Sequence, residues 1–395
     1  MIPNGNWSKL QSSMPSTCQG QKEKQGVLLS QLVTELAQNC GFHLAGIAPV
    51  VDSERRASVD QREFPELVNF AQWIDEGRAG EMEYLKRRDA QGRLLRSSAS
   101  IPFPWARSVI VCAVNYNNTH PYSIDTQSGD EEENSGWIAR YAWSGRSPES
   151  GPIEEADTEL IPTDYHSVIR DRLEKLRGML QAELGEFESR CFVDTGPLIE
   201  RVYAKYAGLG WQAKNTCLIH PRLGSWFFLG VIVTSLDLDR KEWAQPLPDR
   251  CGSCTRCIDA CPTDALEPYR MNAEQCIAYL TIEKRGSIPA ELAEKIGRNV
   301  FGCDICQEVC PWNRRTRALI TDWPELQPRP ELVNPPLNWL ASLDNENFRK
   351  EFRNSPIERT KYAGWQRNVS IAQDNAAAHA GSQETISAGP SNDPL

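Results

Sequence analysis

The sequence predicts an α/β or α+β domain of about two hundred residues joined to a compact cysteine-rich module. Three observations lead there. Helical and strand-like periods alternate from Leu28 to Leu236. Eight of the 13 cysteines crowd between Cys251 and Cys310. Between these regions, residues 243–248 carry two prolines and read as a hinge.

The elements follow in order. Residues 1–26 are polar and without periodicity, so a disordered lead is expected. They hold no twin-arginine pair and no apolar stretch of signal-peptide length, and no run approaches a membrane span, so the expectation is a cytoplasmic protein with no membrane partner. Leu28, Leu29, Leu32, Val33, Leu36 and Cys40 share a helical face, and residues 43–50 read as a strand. Residues 64–76 form a second amphipathic helix and 108–116 a buried strand. Residues 166–184 read as a long helix with Val168, Leu173, Leu176 and Leu180 facing inwards. A short strand over 189–194 ends in the turn Thr195-Gly196-Pro197; a helix runs through Ala207, and the apolar strand 225–236 closes the domain.

Two segments depart from this pattern. From about 117 to 163 the chain is acidic and rich in Pro, Gly and Ser, including Asp130-Glu131-Glu132-Glu133, and reads as a surface insertion. Residues 369–395 are compositionally biased and are expected to be a disordered tail. The expected partition is 27–245 for the large domain, 246–315 for the module and 316–368 for a helical extension. The net charge of −10 argues weakly against a nucleic-acid partner, but the acid is concentrated in the insertion.

The module carries the chemistry. Cys251-x2-Cys254-x2-Cys257-x3-Cys261-Pro262 is the spacing that wraps a 4Fe–4S cubane, because short loops aim several sulfurs at one cluster while the fourth comes from elsewhere. A partial run follows at Cys303-x2-Cys306-x3-Cys310-Pro311, with Cys276 between them. Crossed ligation assigns Cys251, Cys254, Cys257 and Cys310 to one cluster and Cys303, Cys306, Cys276 and Cys261 to the other. Two clusters held close together move electrons, in a ferredoxin-like unit. Disulfides and zinc knuckles fit less well, since four cysteines in one tight run capped by Pro suit neither. The remaining Cys18, Cys40, Cys112, Cys191 and Cys217 read as incidental thiols.

A large domain attached to such a module suggests that the electrons are used there. Asp194 falls at the C-terminal end of a predicted strand, where a partly desolvated carboxylic acid is placed to donate a proton, or where it simply caps the next helix. Lys214-Asn215 follow the Gly208-Leu209-Gly210 turn and offer either a polar cofactor contact or ordinary solvated surface.

Together AGEMEYL (79–85), the stretch from Arg96 to PWARSVIVCAVNY (104–116), ARYAW (139–143), DYHSVIRDRLEKL (164–176), VDTGPLIER (193–201), GLGWQAKNT (208–216), the eight-cysteine module with CIAYLTIE (276–283), and FGCDICQEVCPWN (301–313) resemble epoxyqueuosine reductase, from roughly Gly26 to Asn368. Many ferredoxins share the cysteine runs; VDTGP, GLGWQAKN and GCDICQ–CPWN in this order are more specific. The resemblance implies reduction of epoxyqueuosine to queuosine at the tRNA wobble position, the last step of queuosine synthesis. It implies cobalamin and two 4Fe–4S clusters, with the large domain a flavin-reductase-like fold turned to cobalamin binding. Electrons would run from an external donor through the clusters to cobalamin, and Asp194 would be the proton donor. By motif position Arg96, Tyr141, Lys214, Asn215 and Asp304 would contact the corrin. The implied partner is tRNA carrying epoxyqueuosine in the anticodon, met by a monomer.

Three departures stand beside the resemblance. The acidic segment interrupts the family's run from ARYAW to DYH. Gln212-Ala213 stands where many relatives carry Gly before the Lys. Many members continue past the Arg367-Asn368 element into HEAT-like repeats, whereas this chain continues in a polar tail. Substrate binding would then fall on Arg349, Lys350, Arg353, Arg359, Lys361 and Arg367, with Phe348, Phe352, Tyr362 and Trp365 interleaved. That pattern fits phosphate contacts with base stacking, and equally an amphipathic helix packed on the core. Two rivals remain at this stage: a cobalamin-dependent reductive dehalogenase-like enzyme, and a non-catalytic iron–sulfur electron carrier.

Overall fold

The computed structural model describes residues 28–50, 64–125, 134–148, 160–314 and 320–387. Its centre is a four-stranded antiparallel sheet of β1 (Leu44–Pro49), β2 (Ser108–Asn115), β3 (Ser189–Phe192) and β4 (Phe227–Thr234), in spatial order β1-β2-β4-β3. The all-antiparallel pairing resolves the sequence expectation in favour of α+β. β2 is buried along its whole length and shows no polar alternation, because both faces are covered. Ile110, Cys112 and Val114 face one core with α1 (Leu29–Asn39); Val109, Val111 and Ala113 face the other. Each fully buried side chain of this kind contributes about 1.5–3 kcal/mol relative to exposure.

α2 (Pro65–Asp75) begins at a proline, whose fixed φ suits a first helical turn. α3 (Tyr165–Leu184) lies on the α1 face of the sheet. Its N-cap is Asp164, whose side chain accepts from His166 N at 2.9 Å. Its fully buried residues are Tyr165, Ile169, Leu173, Leu176 and Leu180; Val168 is only partly buried, one position off the expected stripe. α4 (Glu200–Tyr206) covers the opposite face.

The module contains α5 (Arg256–Asp259), α6 (Ile277–Ile282), α7 (Ala290–Ile296) and α8 (Ile305–Glu308), and the single turns α5 and α8 pack on one another. Beyond it come α9 (Leu337–Ser342), α10 (Asn345–Glu351) and α11 (Lys361–Ser387).

Two expectations are corrected here. The stretch 117–163 is not surface insertion throughout: Trp137, Ile138, Ala139, Arg140 and Trp143 are all under 3% exposed, and Trp137–Ile138 pairs in parallel with Asn299–Phe301. Three large apolar side chains and a short pairing strand hold this piece inside, while its acidic runs fall outside the described residues. The disordered tail expected from residue 369 is also wrong at its start, because α11 continues to Ser387. Val369, Ala372 and Ala376 bury against Trp137, Phe301, Leu340 and Trp365, so small side chains supply an apolar stripe that a search for large residues overlooks. That core joins the middle of the large domain, the end of the module and the C-terminal extension. The expected lead 1–26 and the boundary at 315/316 lie outside the described residues.

Candidate active site and electron-transfer module

The twelve cysteines of the described residues are all free thiols. Cys251, Cys254, Cys257 and Cys310 line one cavity of about 240 Å³, with Lys214 and Trp312 on its wall. Burial pushes the Cys257 and Cys310 thiols up to about 11, so a bound cation is what would hold them as thiolates at neutral pH. Cys303 and Cys306 form the second group with Cys276, and Cys261 lies within electrostatic reach of Cys276. Gly302 holds the chain beside Cys303 at φ +72°, where a side chain would come within 2.5 Å of Ala139. Cys217, expected to be incidental, hydrogen-bonds the Cys306 thiol and lies near both Cys276 and Cys310. It is a ninth sulfur at the junction of the two groups.

Lys214 and Asn215 are part of this assembly rather than of an open site. Lys214 Nζ donates to the carbonyls of Gly252 at 2.6 Å and Cys254 at 3.0 Å; Asn215 Nδ2 donates to that of Cys306 at 3.1 Å. Asp304 is likewise enclosed. Its Oδ2 accepts from Arg140 N at 2.7 Å and Trp137 Nε1 at 3.3 Å, and only 2% of the residue is exposed. The Arg140 guanidinium faces the rings of Tyr122, Trp143 and Trp226 at 5.1, 4.9 and 5.5 Å. Beside it, burial pushes the Glu308 carboxyl up to about 7.

The other expected residues converge elsewhere. β3 ends two residues before Asp194, which takes φ +53° and leaves its side chain exposed. Gly196 is required in this turn, since a Cβ there would lie 2.7 Å from Phe192 and 2.6 Å from Leu198. Asp194 does not cap the next helix: the N-cap of α4 is Ile199, without a side-chain cap bond. Instead Asp194 Oδ2 accepts from Tyr165 OH at 3.2 Å, and Asp194 N donates to Glu200 Oε1 at 2.9 Å. Glu200 is hemmed in by protein, and burial together with the neighbouring Asp194 charge pushes its carboxyl up to about 8. Arg96 Nη1 donates to Leu198 O at 3.0 Å, and its guanidinium stands 5.4 Å from the Tyr84 ring centre. Arg359 stands 5.5 Å from the same ring and is paired with Glu283 through contacts of 3.0 and 3.1 Å. Tyr141 meets Tyr165 edge-on at 6.2 Å.

Arg96 and Tyr141 therefore lie within electrostatic reach of Asp194, whereas Lys214 and Asn215 are bonded to the cysteine loops and Asp304 to Trp137 and Arg140. The motif reading missed Tyr84, Tyr165, Glu200 and Glu283 as neighbours of these residues, although all four lie inside quoted motifs. Of the six basic residues assigned to substrate, Arg367 is committed inwards, donating to the carbonyls of Leu280, Lys284 and Gly286. Phe348, Phe352 and Trp365 are buried core, which decides against base stacking by those rings. Arg349, Lys350, Arg353 and Lys361 are exposed.

Comparison with known proteins places the chain among relatives. Residues 96–195 match the family model described as Epoxyqueuosine reductase QueG, and residues 250–313 match a 4Fe-4S double cluster binding domain. The epoxyqueuosine reductase of Xanthomonas campestris is 36% identical over 359 residues, covering 90% of this chain and 88% of that protein. The Synechocystis enzyme of the same name is 37% identical over 82% of this chain and 98% of its own length. Among solved structures, an epoxyqueuosine reductase with a tRNA-Tyr epoxyqueuosine-modified tRNA stem loop aligns with TM-score 0.69 and 27% identity, over 95% of this chain and 87% of that one. The Streptococcus thermophilus enzyme aligns with TM-score 0.68 and 26% identity, over 93% and 86%.

Proposed function

The chain belongs to the epoxyqueuosine reductase family, and from that premise we propose how its own residues carry out the reaction. It is an oxidoreductase that reduces epoxyqueuosine to queuosine. Its substrate is tRNA bearing epoxyqueuosine, as in the related stem-loop complex. Two 4Fe–4S clusters serve it, held by Cys251, Cys254, Cys257 and Cys310 on one side and by Cys261, Cys276, Cys303 and Cys306 on the other. The shared cavity of the first four thiols supports that pairing.

Cobalamin is the cofactor of the cleft, and the large domain is a flavin-reductase-like fold adapted to it. The donor set suits a corrin rimmed by amides: guanidinium N–H groups from Arg96 and Arg359 and hydroxyls from Tyr84 and Tyr141. When bound, the corrin would supply a reducible cobalt centre next to the substrate. Everything else falls to the chain. Arg96 and Tyr141 orient the cofactor. Asp194 gives its proton to the epoxide oxygen as the C–O bond breaks, so that no free alkoxide forms. Tyr165 fixes the carboxyl rotamer through its hydroxyl. Exposed Arg349, Lys350, Arg353 and Lys361 contact phosphates.

One observation carries the proton-donor reading: Asp194 is an exposed acid on a left-handed turn, bonded to a buried tyrosine rather than to a helix end. The decisive experiment is anaerobic reconstitution with iron, sulfide and cobalamin, followed by turnover of epoxyqueuosine stem loop read by nucleoside mass spectrometry. Queuosine formation abolished in Asp194→Ala, with clusters and corrin retained, bears the reading out. Undiminished turnover in that variant removes it, and failure to bind cobalamin leaves the electron carrier.

A further inference from the structure

Trp211 carries a polar atom that the protein leaves unanswered. The residue is 1% exposed, and its indole Nε1 has no hydrogen-bond partner among the described residues. A buried donor without an acceptor costs about 1–3 kcal/mol, and native proteins contain few of them. The surroundings show what the acceptor is. Trp211–Gln212 forms a two-residue ribbon with Leu218–Ile219. The Trp211 ring lies in one apolar cluster with Cys251, Cys310, Ile219, Leu247 and Trp312, and meets the Trp312 ring edge-on at 5.0 Å. Ile219 and Trp312 also wall the cavity that Cys251, Cys254, Cys257 and Cys310 share. Burial pushes the Cys251 thiol up, while the Lys214 backbone N–H and the Trp211 indole act against burial by favouring the thiolate.

We propose that Trp211 is a positioning residue for electron transfer: its indole N–H donates to the Cys251 sulfur and raises the reduction potential of the cluster which that cysteine helps to hold. This rests on the assignment of Cys251, Cys254, Cys257 and Cys310 to one cluster. A cubane that accepts an electron gains a negative charge spread over its sulfurs. A donor aimed at one of them therefore stabilises the reduced form more than the oxidised form. Asp249 works in the other direction, since its charge disfavours the Cys251 thiolate while its Oδ1 accepts from Cys251 N at 2.8 Å. The potential is thus set by two N–H groups of the large domain against one carboxylate of the module. The position suits the point where electrons enter. Exposed Arg250 and Arg256 line this cavity. The second sulfur group lies on the Tyr141 side, where a Cβ on Gly302 would stand 3.6 Å from that ring. An entry cluster of raised potential takes electrons from a weaker external reductant.

The test is an anaerobic redox titration of full-length protein reconstituted with iron and sulfide, without cobalamin or tRNA, followed by electron paramagnetic resonance. Trp211→Phe keeps an aromatic ring and removes the N–H. It is expected to hold about eight irons per chain and to make one cluster about tenfold harder to reduce, a fall of about 59 mV for one electron, with the other unmoved. The same substitution shifts the potential of Cys303→Ala protein, which keeps the first cluster, and Asp249→Asn moves it upwards. A second readout leaves Trp211 in place. With tryptophan labelled by nitrogen-15 in the indole, the reduced cluster of Cys303→Ala protein is expected to show nitrogen hyperfine coupling that persists in Trp312→Phe. Equal potentials with and without the Trp211 N–H, or absence of the coupling, overturn the proposal and leave Trp211 to packing. Wild-type protein with about four irons and a single signal refutes the two-cluster assignment on which the proposal stands.

Discussion

The sulfur module and the Asp194 cleft sit in one molecule but are held by different means. In the module, side chains of the large domain reach across to backbone carbonyls of the cysteine loops: Lys214 to Gly252 and Cys254, Asn215 to Cys306. Such contacts fix the backbone and leave the sulfurs free for metal. In the cleft the direction is reversed. Backbone conformation, a left-handed Asp194 beside an obligatory Gly196, presents side chains whose charges oppose one another. The first arrangement suits a cofactor that must not move, since electron transfer tolerates little reorganisation. The second presents the Asp194 carboxyl at the surface, held by the Tyr165 hydroxyl.

The contrast can be broken on either side. The largest effect is expected from Cys303→Ala, which should reduce iron from about eight atoms per chain to about four and end turnover; iron and sulfide analysis with electron paramagnetic resonance measures it. Asp194→Asn should lower turnover by about 10²–10⁴-fold with iron content unchanged, since it removes the acid and spares the module. Lys214→Met should weaken the clamp on the first cysteine loop by about 1–3 kcal/mol, seen as faster loss of iron to a chelator while the Asp194 carboxyl behaves normally. Reversing Lys350 and Arg353 to Glu should leave both regions intact and reduce the salt dependence of stem-loop affinity by about one unit of slope each. The smallest effect is on stability. Glu200 has a folded pKa above its unfolded one, so its contribution is complete below about 4.5 and is lost as pH rises through about 8; Glu200→Gln should flatten that part of a denaturation series.

The two regions were also unequally legible. The cysteine runs announce themselves because their spacing sits within a few residues of chain, and grouping Cys251, Cys254 and Cys257 needs no tertiary knowledge. Long helices and β2 were readable for a similar reason, as their burial is periodic or continuous over many residues. The cleft draws on four distant segments, so Tyr84 and Arg359 on two sides of one ring contact have no local signature. The resemblance makes Lys214 and Asn215 cofactor contacts by motif position, whereas their side-chain nitrogens donate to carbonyls of the cysteine loops. Cys217 looked incidental for want of a neighbour in sequence. α11 escaped notice because alanines, not leucines, make its stripe. The antiparallel sheet could not be told from a parallel one, since a strand covered on both faces reads the same either way.

The stretch from Asn134 to Pro148, buried over most of its length, has a last consequence, for how such a chain can change over evolutionary time. Its tryptophans and Arg140 anchor it in the core, so the acidic runs before and after it join fixed points. Closing a loop between fixed ends costs only about 0.6 kcal/mol more for each doubling of its length. A change of chain length between two such fixed points can therefore accumulate almost neutrally, while the spacing between the sheet and the sulfur module passes unaltered from one descendant to the next.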